Sequence, residues 1–164
     1  MDTKTSTRPL LVGEANPYGA DPYYALYPLP ERASGHRLCT LIMGLGHGEY
    51  LRSFERVNLC PQRWSAPVAR ARATEIMNGD HEKVVLLGKK VAEAFGFKDR
   101  APFTVDSETK FASSSGEWRA RIYVLLPHPS GLCRAWNAPG AFLRARTALQ
   151  DAGVLATPKA ATGA

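Results

Sequence analysis

The side chains able to do chemistry gather in three short stretches. The first is Leu11-Val12-Gly13-Glu14-Ala15-Asn16-Pro17-Tyr18-Gly19, with a carboxylate, a carboxamide and a phenol close together. The second, Arg56-Val57-Asn58-Leu59-Cys60-Pro61, carries one carboxamide. The third, Leu125-Leu126-Pro127-His128-Pro129-Ser130-Gly131, sets an imidazole between two prolines. A carboxylate accepts protons, an imidazole donates or accepts them near neutral pH, and a carboxamide donates and accepts hydrogen bonds without ionising. Asparagine therefore orients water but is no strong general base. Each residue also has a plain structural use. Asn16 fits an Asx turn, Glu14 can accept from loop amides, Asn58 can satisfy a turn backbone, and His128 can be an ordinary surface-loop histidine.

All three stretches follow apolar runs that read as strands. Pro9-Leu10-Leu11-Val12-Gly13 predicts a buried first strand and Arg56 to Cys60 a second, stopped by Pro61. Lys83-Val84-Val85-Leu86-Leu87-Gly88 predicts a third, and Arg119 to Leu126 a fourth, broken by Pro127. Between them lie helical signals. Leu38, Leu41, Ile42 and Leu45 are helically spaced. Ser65-Ala66-Pro67 opens a helix that runs to Asn78 and Gly79, with Ser65 as its cap. Lys89 to Phe95 is a short helix, and Asn137 is placed to cap a last one with Phe142, Ala145, Leu149 and Ala152 on one face. Pro102 to Glu117 is weakly patterned and predicts a loose hairpin. Continuous apolar strands with helices between them predict an α/β fold, a three-layer αβα sandwich on a central, mainly parallel four-stranded sheet. In such sheets ligands bind at the carboxyl ends of the strands, where the three stretches stand.

The 164 residues fit one domain, taken as 1–155, with 156–164 as a disordered tail. Hydrophobic residues make up 45% and charged residues 22%, which excludes a disordered chain. No apolar run approaches the roughly 20 residues of a membrane span. Met1 to Arg8 carries no apolar signal core, so a membrane partner is not expected. Cys39, Cys60 and Cys133 are widely spaced and odd in number, which argues against a disulfide scaffold or a four-cysteine metal site and for a reduced cytoplasm. They read as buried small apolar residues, and His36, His47 and His81 lack metal-ligand spacing. The net charge of +6 hints at a polyanion partner without proving one.

Taken together, the three stretches resemble the uracil-DNA glycosylase superfamily over about residues 9 to 150. Glu14-Ala15-Asn16-Pro17-Tyr18-Gly19 is similar to that family's strand-then-loop motif, Val57-Asn58-Leu59-Cys60-Pro61 to its base-reading strand end, and Pro127-His128-Pro129-Ser130 to its His-Pro-Ser loop. Gly35 to Leu38 and Val84 to Ala92 also look like intervening family segments. The resemblance implies a metal- and cofactor-free, monomeric enzyme that hydrolyses the N-glycosidic bond of uracil or a modified pyrimidine in DNA and leaves an abasic site. The nucleotide is flipped into a pocket. His128 stabilises the charge on the departing base. Asn16, or Glu14 in the branch with Gly-Glu-Ala-Pro, positions the water, and Asp21-Pro22-Tyr23 offers a third register. Asn58 reads the pyrimidine edge. Tyr18 or Tyr27 excludes a 5-methyl group or stacks on the base. Ser130, Gly131 and Arg134 hold phosphates, and Leu132 wedges into the duplex.

Several features depart from the family. Only Cys60 stands at a position matching its iron–sulfur branches. The loop from Glu14 to Ser34 is long and rich in tyrosine, which puts plain uracil in doubt; Tyr23, Tyr24 and Tyr27 read mainly as loop packing. Trp136 follows the wedge loop without a family counterpart. Arg70 and Arg72 read as a solvated helix face. Two other functions compete with excision: a reader of damaged DNA on the same fold, and an enzyme acting on a free nucleoside.

Overall fold

The computed structural model describes residues 8–16, 19–112 and 116–158, and side chains are described except over 108–112. Strand β1, Leu10–Ala15, runs between β2, Glu55–Cys60, and β3, Lys83–Leu87, and is parallel to both. β3 pairs in parallel with β5, Trp118–Leu126. The sheet order is β2-β1-β3-β5-β4, with β4 spanning Thr104–Ala112. Leu11, Val12, Val84, Val85, Leu86 and Leu87 have no exposed surface, because inner parallel strands are covered on both faces. That burial is why these strands read as continuous apolar runs.

The sheet has five strands where four were expected. The weakly patterned stretch holds β4, Thr104–Ala112, antiparallel to β5 and at the sheet edge. An edge strand needs no apolar run on both faces, so the sequence understates it. The architecture is α/β with a mixed sheet and helices.

Alternate strand residues enter two cores. Leu11, Val85, Leu87, Val124 and Leu126 pack with Leu38, Ile42, Tyr50, Ala145 and Leu149. These come from α1, Ser34–His36, which runs on as a π-helical segment Arg37–Ile42, from α2, His47–Ser53, and from α5, Ala141–Asp151. Leu10, Val12, Val84, Leu86 and Leu125 pack with Ala69, Ala73 and Ile76 of α3, Ala66–Met77, and Val91 of α4, Lys89–Ala94. Arg121, 1% exposed, enters beside the second core and donates to the carbonyls of Met77, Gly79 and His81. Carbonyls freed at the end of α3 are thereby satisfied.

One cap expectation holds in position, Ser65 being the N-cap of α3, and one is corrected. Ser65 makes no side-chain cap bond; its backbone N–H donates to Cys60 Sγ at 3.3 Å. Asn137 lies in a 3₁₀ turn, Arg134–Asn137, and the cap of α5 is Gly140 in the left-handed region, with Pro139 ahead of it. Cys39 and Cys60 are buried as expected and Cys133 is half-buried; all three are free. Burial pushes the Cys39 thiol up to about 11. Arg70 and Arg72 are exposed, Arg72 against Glu75 at 2.6 Å. Among the described residues, no helix is long and apolar enough to cross a membrane.

Candidate functional site

The chain leaves β1 toward β2 on one side and returns through β3 on the other, so the sheet switches direction between β1 and β3. Open α/β sheets bind ligands at such a crevice. A cavity of about 390 Å³ stands there. Glu14, Asn16, Asn58, Tyr27, His128, Ser130, Gly131 and Leu132 all line it. Tyr18 lies outside the described residues. Arg134 is exposed and does not line the cavity.

Backbone register brings Asn58 into the site. Asn58 is paired with Gly13 across β1 and β2. A β-carbon at Gly13 would collide with Asn58 Oδ1, so the glycine makes the room in which the carboxamide lies. Glu14 and His128 meet above the end of β3. A β-carbon at Gly88 would lie 3.3 Å from Glu14 Oε1 and 3.4 Å from His128 Cδ2. Gly88, with φ +107°, thus lets the carboxylate and the imidazole share one small space.

The His128 loop is held by three hydrogen bonds, one on the ring and two on backbone carbonyls. The Ser130 backbone N–H donates to His128 Nδ1 at 3.2 Å. A backbone N–H only donates, so Nδ1 is unprotonated and the neutral ring carries its proton on Nε2. The Trp136 indole N–H donates to the His128 carbonyl at 2.8 Å. That indole is 4% exposed, stacks on Phe142 at 5.5 Å and meets Phe103 edge-on at 5.5 Å. Arg37 Nε donates to the next carbonyl, Pro129, at 2.9 Å. Burial lowers the pKa of His128 below 6.5; Glu14 pulls it upward and Lys90 lowers it further. His128 is therefore a neutral N–H donor at physiological pH.

Ser130 Oγ accepts from the Leu132 N–H at 3.0 Å, which turns the loop so that Leu132 is 93% exposed. On the opposite rim, Tyr23, Tyr24 and Tyr27 pack on one another with ring centroids 5.1 to 5.6 Å apart, the packing role expected of them. Tyr24 and Tyr27 line the cavity as well. Asp21 is occupied elsewhere: its carboxylate accepts from the Tyr23 N–H at 3.0 Å as the cap of a 3₁₀ turn, and it does not line this cavity. Leu26 and Arg32, both lining residues, have φ of 51° and 71°. Such strain gathers where surrounding structure holds a loop for function. Buried Tyr50 does part of that holding, donating to the Leu26 carbonyl at 2.8 Å.

Gly88, Arg37, Tyr50 and the role of Trp136 are not legible as site features in the sequence. Gly88 had a signal, a glycine between a strand and a helix. Arg37 and Tyr50 act through backbone carbonyls distant in sequence, and Trp136 through one eight residues away with no spacing rule, so none of these three leaves a local signature. Among the described residues, no group of three or more His, Cys, Asp or Glu side chains converges as a metal site. No protein-family model matches the chain, and no curated protein matches it.

Proposed function

We propose that the chain is a DNA glycosylase of the uracil-DNA glycosylase type, releasing uracil or a modified pyrimidine and leaving an abasic site. The observation that carries this reading is the meeting of Glu14, Asn16, Asn58 and His128 around one cavity at the strand ends. The flipped base enters the cavity, and the Asn58 carboxamide pairs with its donor–acceptor edge. The bond between the sugar C1′ and the base nitrogen breaks, and its electron pair stays with the base. The Nε2–H of neutral His128 donates to the anion that forms, an arrangement needing no reorganisation during the reaction. Water adds to C1′ and its proton passes to Glu14. Asn16, 7% exposed, orients that water through its amide. Leu132 enters the space left by the base.

The finer description of the fold as a three-layer αβα sandwich, a cytoplasmic location and a monomeric state belong to the same proposal. One observation favours the runner-up, an inactive reader of damaged DNA: an amide stands next to the motif proline, where a second carboxylate would strengthen catalysis. Oligonucleotides with uracil, 5-hydroxymethyluracil or a mismatch separate the two. Alkali-labile abasic product is expected from at least one. Saturable, salt-dependent binding without product selects the reader, and neither binding nor product from folded protein rejects both.

A further inference from the structure

A second cavity, about 760 Å³, opens on the other side of Glu14 and His128. Both residues line both cavities, so one layer of side chains divides them. The reaction described above makes no use of this space. Its floor is apolar, with buried Ala92, Leu125 and Leu126 and the half-buried ring of Phe97. Exposed Lys89, Lys90 and Arg100 surround it. Lys89 reaches Glu93 at 3.9 Å and Arg100 reaches Asp106 at 3.3 Å, while Lys90 lies over the Trp64 ring at 5.7 Å. Exposed pairs of this kind bind weakly, so the cations are free to turn to a stronger anion. Among the residues that line the cavity, three cations, Lys89, Lys90 and Arg100, stand with two carboxylates, Glu14 and Asp99.

An apolar, aromatic floor beside cations has the chemistry of a site for a nucleobase with its phosphate. We infer that this cavity holds the nucleotide next to the one being cut, so that the strand is bound with two adjacent bases out of the stack. The inference rests on the glycosylase reading and extends it to the substrate: a single strand is preferred. In a duplex a second nucleotide would have to be unpaired as well as unstacked, and a single strand carries the smaller cost. Stacking on an aromatic ring tolerates any base, so the neighbour is required without being read closely.

The test compares single strands carrying one target pyrimidine with the same strands bearing a tetrahydrofuran abasic analogue at either neighbouring position. Replacement on one side is expected to lower kcat/KM about tenfold. Ala101→Trp, at an exposed lining position, is expected to cut the rate on the intact strand similarly and to abolish the dependence on the neighbour. Phe97→Leu keeps an apolar floor but removes the ring face, and is expected to shrink the neighbour effect to about two- to threefold. Base release that ignores both neighbours overturns the inference and leaves the glycosylase reading standing. A full neighbour effect in Phe97→Leu also overturns it. No release from any strand overturns the glycosylase reading and this inference with it.

Discussion

Two loops face each other across the small cavity, and they are held in different ways. The loop from His128 to Trp136 is pinned at its backbone. Trp136 and Arg37 donate to successive carbonyls, and Ser130 closes the turn with its N–H on the imidazole. The segment from Gly19 to Ala33 is held mostly by its own bulk: three tyrosine rings in mutual contact, Arg56 against two of them, and the Tyr50 hydroxyl on the Leu26 carbonyl. The first arrangement fixes one ring to one tautomer and one direction. The second fixes a surface without aiming any single group. Positioning chemistry and shaping a space are separate tasks here, assigned to separate loops.

The sharpest way to break this contrast is to remove the aimed group. His128→Ala is expected to lower base release by about 10²–10⁴, while affinity for the oligonucleotide is kept; unchanged turnover would show that the pinned loop aims nothing. Trp136→Phe tests the pinning itself. It keeps a ring between Phe103 and Phe142 but leaves the His128 carbonyl without its donor. The expected result is a loss of about tenfold in kcat, equivalent to about 1.4 kcal/mol, with KM unchanged. A fall in melting temperature with intact kcat would make Trp136 structural only. Lys90→Gln acts on the ring through charge. Lys90 depresses the pKa of His128, so its removal raises that pKa. In the proposed reaction neutral His128 is the donor, so the acid limb of the rate profile is expected to move toward higher pH. A static or downward shift contradicts the neutral-donor role. The sign also applies to stability. With its folded value below 6.5, His128 takes up its proton more readily in the unfolded chain, so its contribution is present above 6.5 and is lost as pH falls through the lowered value.

The same contrast explains how far the sequence could be read. β1, β3 and the second half of β5, Tyr123 to Leu126, announce themselves because burial on both faces leaves no polar alternation. β4, at the edge, carries Asp106 and exposed Val105 and blends into a loop. The convergence of Glu14, Asn58 and His128 could be expected because each ends or follows a strand, and parallel strands bring their carboxyl ends together. What the sequence withholds is support from a distance. Arg37 and Pro129 lie 92 residues apart, and Tyr50 and Leu26 lie 24 apart. Neither pair has a spacing rule to betray it. Asn137 shows the opposite failure: a good capping residue stands near a helix, but Pro139 and Gly140 start that helix later.

On the tyrosine-rich side the expected effects are smaller and fall on stability. Tyr50→Phe leaves the Leu26 carbonyl unpaired, and a loss of about 1–3 kcal/mol is expected in denaturant melts. Rates should change less than for Trp136→Phe, because Leu26 aims no reacting group. A larger rate loss than stability loss would mean that this loop aims chemistry too.

The smallest effect is expected at Asp21. Its carboxylate is already used, accepting from the Tyr23 N–H at 3.0 Å, and Asp21 stands outside the cavity shared by Glu14 and His128. Asp21→Ala therefore removes a cap from a short exposed turn, worth about 0.5 kcal/mol, and should leave base release within about twofold of wild type. The same variant decides the register of the first motif. Were Asp21 the group that positions water, its loss would lower the rate as steeply as a missing general base does, by about 10²–10⁴. Glu14 sits one residue beyond Gly13, whose missing β-carbon makes room for Asn58, and its carboxylate reaches the space beside His128. The sheet thus brings Asn58, Glu14 and the loop of His128 together through backbone pairing. Asp21, on the loop that shapes the space, has no such connection to them.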